Sequence, residues 1–188
     1  AGELQQRGLV MAQSFDASVF IYRAISLVAS NIFLGIFLAI GILWWFLRRL
    51  RATLIIAIAI PISLLATFIV LNTAGRSLNV ISLAGLAFAV GMVLDAAIVV
   101  LENIVRLREK GLTSTEAALL GSSQVWGALL ASTATTVAIF LPVLFMREVE
   151  GQLFADLAIT IAIAVIVSTV VAVTIIPLAA RTWLHGAS

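Results

Sequence analysis

The chain has 188 residues, 63% of them hydrophobic and 11% charged, and its mean hydropathy is +1.21. Soluble domains hold about 25% charged residues, so this composition excludes a soluble globular domain and indicates an integral membrane protein. The net charge of +2 does not indicate nucleic acid, because the 11 basic residues form no stripe or aromatic-interleaved patch, and zero cysteines exclude a disulfide framework and thiolate metal sites.

Residues 1–23 read as a lead-in outside the membrane, in which Asp16 is a candidate N-cap for a short amphipathic turn running into the first span. The start at Ala1, with no charged n-region and apolar h-region, is what a piece of a longer polypeptide would show. A membrane-crossing helix needs about 20 apolar residues. Five stretches qualify, at about 24–47, 52–74, 78–104, 117–146 and 154–180. They lack the short alternating pattern of barrel strands, and in lipid each must satisfy its own backbone. The expected fold is therefore all-α, a polytopic membrane helical bundle of about five transmembrane helices within residues 24–184, followed by an end at 185–188.

The connections can be read in the same way. Arg48 to Arg51 leave room only for a tight antiparallel hairpin, and residues 72–77 are as short. Gly111 reads as a helix stop. Thr113 with Glu116 has capping-box spacing, opening either a short interfacial helix through Leu120 or a direct continuation into the fourth span. Pro61 should kink the second span, whereas Pro142 and Pro177 lie near span ends and are expected to terminate helices. One side collects Arg48, Arg49, Arg51, Arg106, Arg108, Lys110 and Arg181; the other collects Arg7, Arg23, Arg76 and Arg147. By the positive-inside rule the first side is cytoplasmic, which puts the N-terminal end outside and His185 inside. Trp44, Trp45 and Trp183 then fall at the cytoplasmic interface, where aromatic belts form.

The residue that stands out is Asp95, the single charge between positions 78 and 101. A carboxylate at mid-bilayer costs roughly 2.5 to 3.5 kcal/mol on insertion scales, so it persists where it faces protein, water, a partner or a proton. Ala84, Ala87, Gly91, Asp95 and Glu102 fall near one helical face. Ala87 and Gly91 give that face small-xxx-small spacing, which lets another helix approach closely. A moving cation near Asp95 could then load and unload a proton. The alternative is a structural hydrogen-bond anchor. Glu102, near Asn103 and Arg106 at the helix end, suits a solvated or locally paired role or a polar path. The hydroxyls of Ser132, Thr133, Thr135 and Thr136 could line a proton or water path, with Thr133 and Thr136 the candidates, or could bond back to their own helix. His185 has no metal partner at ligand spacing, and no catalytic triad, zinc motif or phosphate loop is present. Neither an enzyme nor a cofactor is expected, and protons are the one coupling ion the sequence suggests.

Several separate segments resemble the resistance-nodulation-division (RND) efflux transporters. They are GRSLN at 75–79, LAGLAFAVGMVLDAAIVVLENIVR at 83–106, FLRRLRATLIIAIAIPISLLATF at 46–68, GALLASTATTVAIFLPVLF at 127–145 and GQLFADLAITI at 151–161. The resemblance covers nearly the whole chain. It implies that the spans are the second to sixth helices of the family's first transmembrane half, and that residues 1–23 are the tail of a periplasmic porter region. Gly91, Asp95, Ala97, Ile98, Val99, Glu102 and Asn103 fill the family pattern Gly-x-x-x-Asp-x-Ala-Ile-Val-x-x-Glu-Asn, so Asp95 inherits the proton-carrier role. Many members place a second Asp directly after the first; here that position is Ala96.

By the same resemblance, the Lys and Arg that partner this Asp belong to a second transmembrane half. The implied setting is the bacterial inner membrane, in a homo-oligomer (a trimer) with a periplasmic adaptor and an outer-membrane channel. Met11, Met92 and Met146 form no methionine relay, which favours hydrophobic or amphiphilic substrates over metal ions. Two other readings stand beside proton-driven efflux. One is a self-associating half acting as a structural or regulatory membrane module; the other is a passive channel.

Overall fold

The computed structural model describes residues 17–76, 80–146 and 149–184. Within them the chain forms α1 (Ala17–Leu47), α2 (Leu50–Thr73), α3 (Val80–Glu109), α4 (Ser114–Phe140), a 3-10 turn (Leu141–Phe145) and α5 (Val149–Trp183). Even the shortest helix, α2 with 24 residues, is about 36 Å long at 1.5 Å per residue and exceeds the roughly 30 Å hydrocarbon core. Among the described residues all five helices are long and apolar enough to cross a membrane, α4 together with its 3-10 turn. The expected N-cap Asp16 and the residues Arg7, Met11, Arg147 and His185 lie outside the described residues.

The turns follow from local chemistry. Between α1 and α2 only Arg48 and Arg49 intervene. Arg48 takes a left-handed φ of 50°, and its amide still donates to the Trp44 carbonyl at 3.0 Å. α2 ends at Gly75 (φ 69°) in a Schellman motif, with Gly75 N–H donating to the Asn72 carbonyl and Arg76 N–H to that of Leu71, both at 3.1 Å. α3 ends the same way at Gly111 (φ 94°), with bonds to the carbonyls of Arg108 and Leu107. Glycine suits both positions because it lacks the Cβ that penalises positive φ.

At the start of α4 the capping box of Thr113 and Glu116 is formed in both directions. No separate interfacial helix follows. Residues 114–140 are one continuous helix, since nothing after Leu120 breaks the ladder and Gly121 is held in it by packing. Pro177 likewise does not terminate its helix, which continues to Trp183; in an apolar segment, continued helix is the way to keep the following backbone groups satisfied.

α3 and α5 form the central pair, α2 packs on both, α4 packs on α5 and α3, and α1 lies outside against α3 and α2. Leu43 is the one α1 side chain buried among the described residues. Lipid offers no hydrophobic drive for helix association, so close van der Waals approach carries the packing. The interior is accordingly rich in small residues: Ala89, Ala96 and Ala97 on α3, and Ala164, Ala172 and Ala180 at eight-residue intervals on α5. A Cβ on Gly85 would lie 3.1 Å from Leu157 Cδ1, and one on Gly121 would lie 2.7 Å from Ile104 Cγ1. These glycines, on α3 and α4, mark the close crossings. Gly91 does not: among the described residues nothing comes within 4 Å of a Cβ placed there, and Ala87 is only half-buried. Within this chain the expected close-packing face is open, because α5 approaches α3 from the side of Gly85.

Charges gather at the two ends of the bundle. Arg49 Nη2 donates to Glu109 Oε1 at 2.7 Å, and at the same end Arg108 donates to the Leu184 carbonyl at 2.9 Å. At the other end Arg76 Nη1 donates to Asp156 Oδ1 at 2.6 Å. Trp44, Trp45 and Trp183 are all exposed.

Candidate functional site

Along α3 the exposed positions are Ala84, Phe88, Gly91, Asp95, Val99, Glu102, Arg106 and Glu109. Their spacing of three and four residues makes one continuous stripe along the helix. The other side of α3 is buried by the rest of the chain, so the stripe is what remains for something outside it. Asp95 sits in the middle of this stripe.

Its carboxylate lines a cleft of about 260 Å3 between α3, α4 and α5. α3 contributes Met92, Asp95, Ala96 and Val99; α4 contributes Ala128, Leu129, Ser132, Thr133 and Thr136; α5 contributes Val165, Ser168 and Thr169. At roughly 30 Å3 per water, the space corresponds to about nine molecules. The helices tolerate these hydroxyls because a Thr or Ser can return its proton to the preceding turn. Thr136 Oγ1 donates to the Ser132 carbonyl at 3.0 Å, Ser168 Oγ to Val165 at 3.0 Å, and Thr169 Oγ1 to Val165 at 3.0 Å.

Thr133 and Thr169 join α4 to α5 through their hydroxyls. With the Thr169 proton committed to Val165, Thr133 is the donor in that pair. The protons of Thr133, Thr136, Ser168 and Thr169 are thus spent and their oxygens offer the cleft lone pairs, whereas Ser132, in the same lining, has its hydroxyl proton free to donate. A wall richer in acceptors than in donors favours a guest that brings a donor, such as water or hydronium. Thr135, by contrast, bonds back to Ala131 at 2.8 Å and does not line the cleft.

One turn further, a second cleft of about 190 Å3 is lined by Val99, Glu102, Asn103, Arg106 and Val125. Asn103 is buried and its amide is fully used. Its Nδ2 donates to the Gly121 carbonyl at 2.8 Å and to Gln124 Oε1 at 3.1 Å, while its Oδ1 accepts from Arg106 Nη2 at 2.7 Å. Asn103 therefore ties α3 to α4 at the Gly121 crossing, whereas Glu102 is exposed and faces the second cleft.

Of the candidate residues, Asp95, Thr133 and Thr136 share one cleft and Glu102 with Asn103 shares the next, while Ala87 and Gly91 belong to neither lining. Ser168, Thr169 and Gln124 were not singled out by the sequence. The adjacent hydroxyls of Ser168 and Thr169 within a run of aliphatic residues are the signal that could have found the first two. No described ion pair involves Asp95, and the residues lining its cleft include no Lys or Arg. Among the described residues no cluster of His, Cys, Asp and Glu could hold a metal.

Comparison with known proteins gives the family. The model of the AcrB/AcrD/AcrF family matches residues 3–188. The chain is 39% identical over 173 residues to multidrug resistance protein MdtC of Escherichia coli O139:H28, covering 92% of this chain and 17% of that protein. It is 40% identical over 163 residues to the proteins of the same name from Salmonella arizonae and Salmonella schwarzengrund, covering 87% of this chain and 16% of each relative. The chain thus spans about a sixth of the length of these relatives. With a family match over nearly all its residues and five helices of membrane-spanning length, the chain is a multi-pass membrane protein of the AcrB/AcrD/AcrF family of RND transporters.

Proposed function

We propose that this chain is the transmembrane part of a proton-motive-force-driven efflux transporter, with Asp95 as its intramembrane proton carrier. The observation that carries the reading is the placement of Asp95. It is a lone carboxylate in the middle of an apolar helix, facing a cleft with room for several waters and lined by hydroxyls, on a stripe of α3 that the rest of the chain leaves uncovered. Asp95 takes a proton from the cleft, and a cation brought against the open stripe displaces it. That cation belongs to a second transmembrane half, whose Lys and Arg side chains complete the relay. One elementary charge moving through 100 mV supplies about 2.3 kcal/mol for the cycle.

The protein sits in the bacterial inner membrane. The end carrying Arg49, Arg108 and Glu109 is cytoplasmic and the end carrying Arg76 and Asp156 is periplasmic, as the excess of basic residues on the first side supports. The assembly is a homotrimer that works with a periplasmic adaptor and an outer-membrane channel, and its substrates are hydrophobic or amphiphilic compounds; the relatives are multidrug resistance proteins by name. The test is efflux driven by a pH gradient in vesicles holding the complete transporter. Asp95→Asn, which keeps shape and removes the titrating group, should abolish coupled efflux while leaving membrane abundance unchanged. Equal efflux with Asn at this position overturns the carrier role.

A further inference from the structure

The Asp95 cleft and the Glu102 cleft are consecutive along α3, and Val99 is the residue common to both linings. Asp95, Val99 and Glu102 are four and three residues apart, so their Cα atoms rise by about 6 Å and then about 4.5 Å along one face. On α4 the sequence of linings is matched one turn apart, with Val125 bordering the Glu102 cleft and Ala128 bordering the Asp95 cleft. The boundary between the two polar spaces is therefore apolar on both helices. Val99 is 43% exposed and lies outside the buried core, so intrachain packing does not account for its place there. Its branched Cβ restricts it to essentially one rotamer in a helix, which makes it a fixed wall.

From this geometry, and resting on the carrier role of Asp95 proposed above, we infer that Val99 is the septum between the Asp95 cleft and the end of the bundle holding Glu102 and Arg106. An apolar constriction interrupts a file of water by dewetting, and a file without polar partners does not hold water. With the second transmembrane half laid over the stripe and Val99 in place, a proton that hydronium brings into the Glu102 cleft cannot pass to the Asp95 carboxylate while this face is static. Val99 is thus a positioning residue for proton access. It keeps the two ends of the pathway from being connected at the same time.

The experiment uses the complete transporter in vesicles with an interior pH-sensitive dye. Substrate-independent proton leak is compared among the parent protein, Val99→Thr, Asp95→Asn and the double variant, with Val99→Ala as a second way to open the wall. Val99→Thr keeps the volume and adds a hydrogen-bonding group, so the leak should rise by about tenfold if the dewetted constriction is what blocks it. The rise should disappear in the double variant. An unchanged leak in Val99→Thr and Val99→Ala overturns the septum; if Asp95→Asn abolishes coupled efflux in the same preparation, the carrier role survives that failure, and if it does not, both readings fall. A leak that persists in the double variant also overturns the proposal, because the opened path then does not serve Asp95.

Discussion

Two glycines offer a direct test of how the helices meet. A Cβ added at Gly121 would lie 2.7 Å from Ile104 Cγ1, 3.1 Å from Ile104 Cα and 3.2 Å from its amide nitrogen. Two of these three atoms are backbone, so a rotamer change cannot relieve the clash and α4 must move away from α3. Overpacking of this kind costs about 1 to 3 kcal/mol, partly offset by roughly 0.5 to 1 kcal/mol from replacing glycine in a helix. Gly121→Ala should therefore destabilise by about 1 to 2 kcal/mol, which at about 2 to 4 °C per kcal/mol for a unit of this size lowers the Tm by about 2 to 8 °C. The shift also pulls the Gly121 carbonyl from Asn103 Nδ2, now 2.8 Å away.

Gly91→Ala is the contrasting substitution, since nothing within this chain's described residues meets its Cβ. Any harm it does must come from a partner laid on the open stripe of α3. Thermal unfolding of the detergent-solubilised protein, followed by tryptophan fluorescence, reads both. A Gly121→Ala protein that melts with the parent would refute the close crossing. In the isolated chain, a Gly91→Ala loss as large as that of Gly121→Ala would refute the open face.

Two further substitutions probe the polar contacts. Asn103→Ala removes the acceptor of Arg106 and the donor to Gly121 and Gln124, and should lower stability by about 1 to 3 kcal/mol, as buried groups left unsatisfied do; an unchanged Tm would show that the network carries no load. Thr133→Val deletes the hydroxyl link to Thr169 and should cost about 0.5 to 1.5 kcal/mol, whereas Thr135→Val, whose hydroxyl only bonds back to Ala131, should leave the melting curve where it was.

Much of this was legible in the residues because it depends on local chemistry. The helix stop at Gly111 needs only a position with positive φ, and the Thr113 and Glu116 box needs only spacing of three. The placement of Asp95, Thr133 and Thr136 around one space followed less directly, since it depends on how far α4 is splayed from α3 between the Gly121 crossing and the Thr133 link. Which small residue makes a crossing was not legible at all. Gly85, Gly91 and Gly121 look alike in sequence, and only the direction from which α5 and α4 approach decides that two are contacts and one is bare. Pro177 was misread for a related reason: proline is a strong stop signal in water, where freed carbonyls can be solvated, and a weak one in an apolar segment.

The spent hydroxyl protons around Asp95 also define what could be made to lodge there. At about 260 Å3 the cleft is below the usual 300 to 1,000 Å3 of drug-sized pockets, so a blocker must be fragment-sized. A carbonyl or ether would find only the Ser132 hydroxyl to donate to it. A compact primary ammonium or amidinium, by contrast, could give its hydrogens to the threonine oxygens and pair with the carboxylate. On the carrier role proposed above for Asp95, the cleft prescribes a small cationic donor as the starting chemistry for a blocker of its protonation.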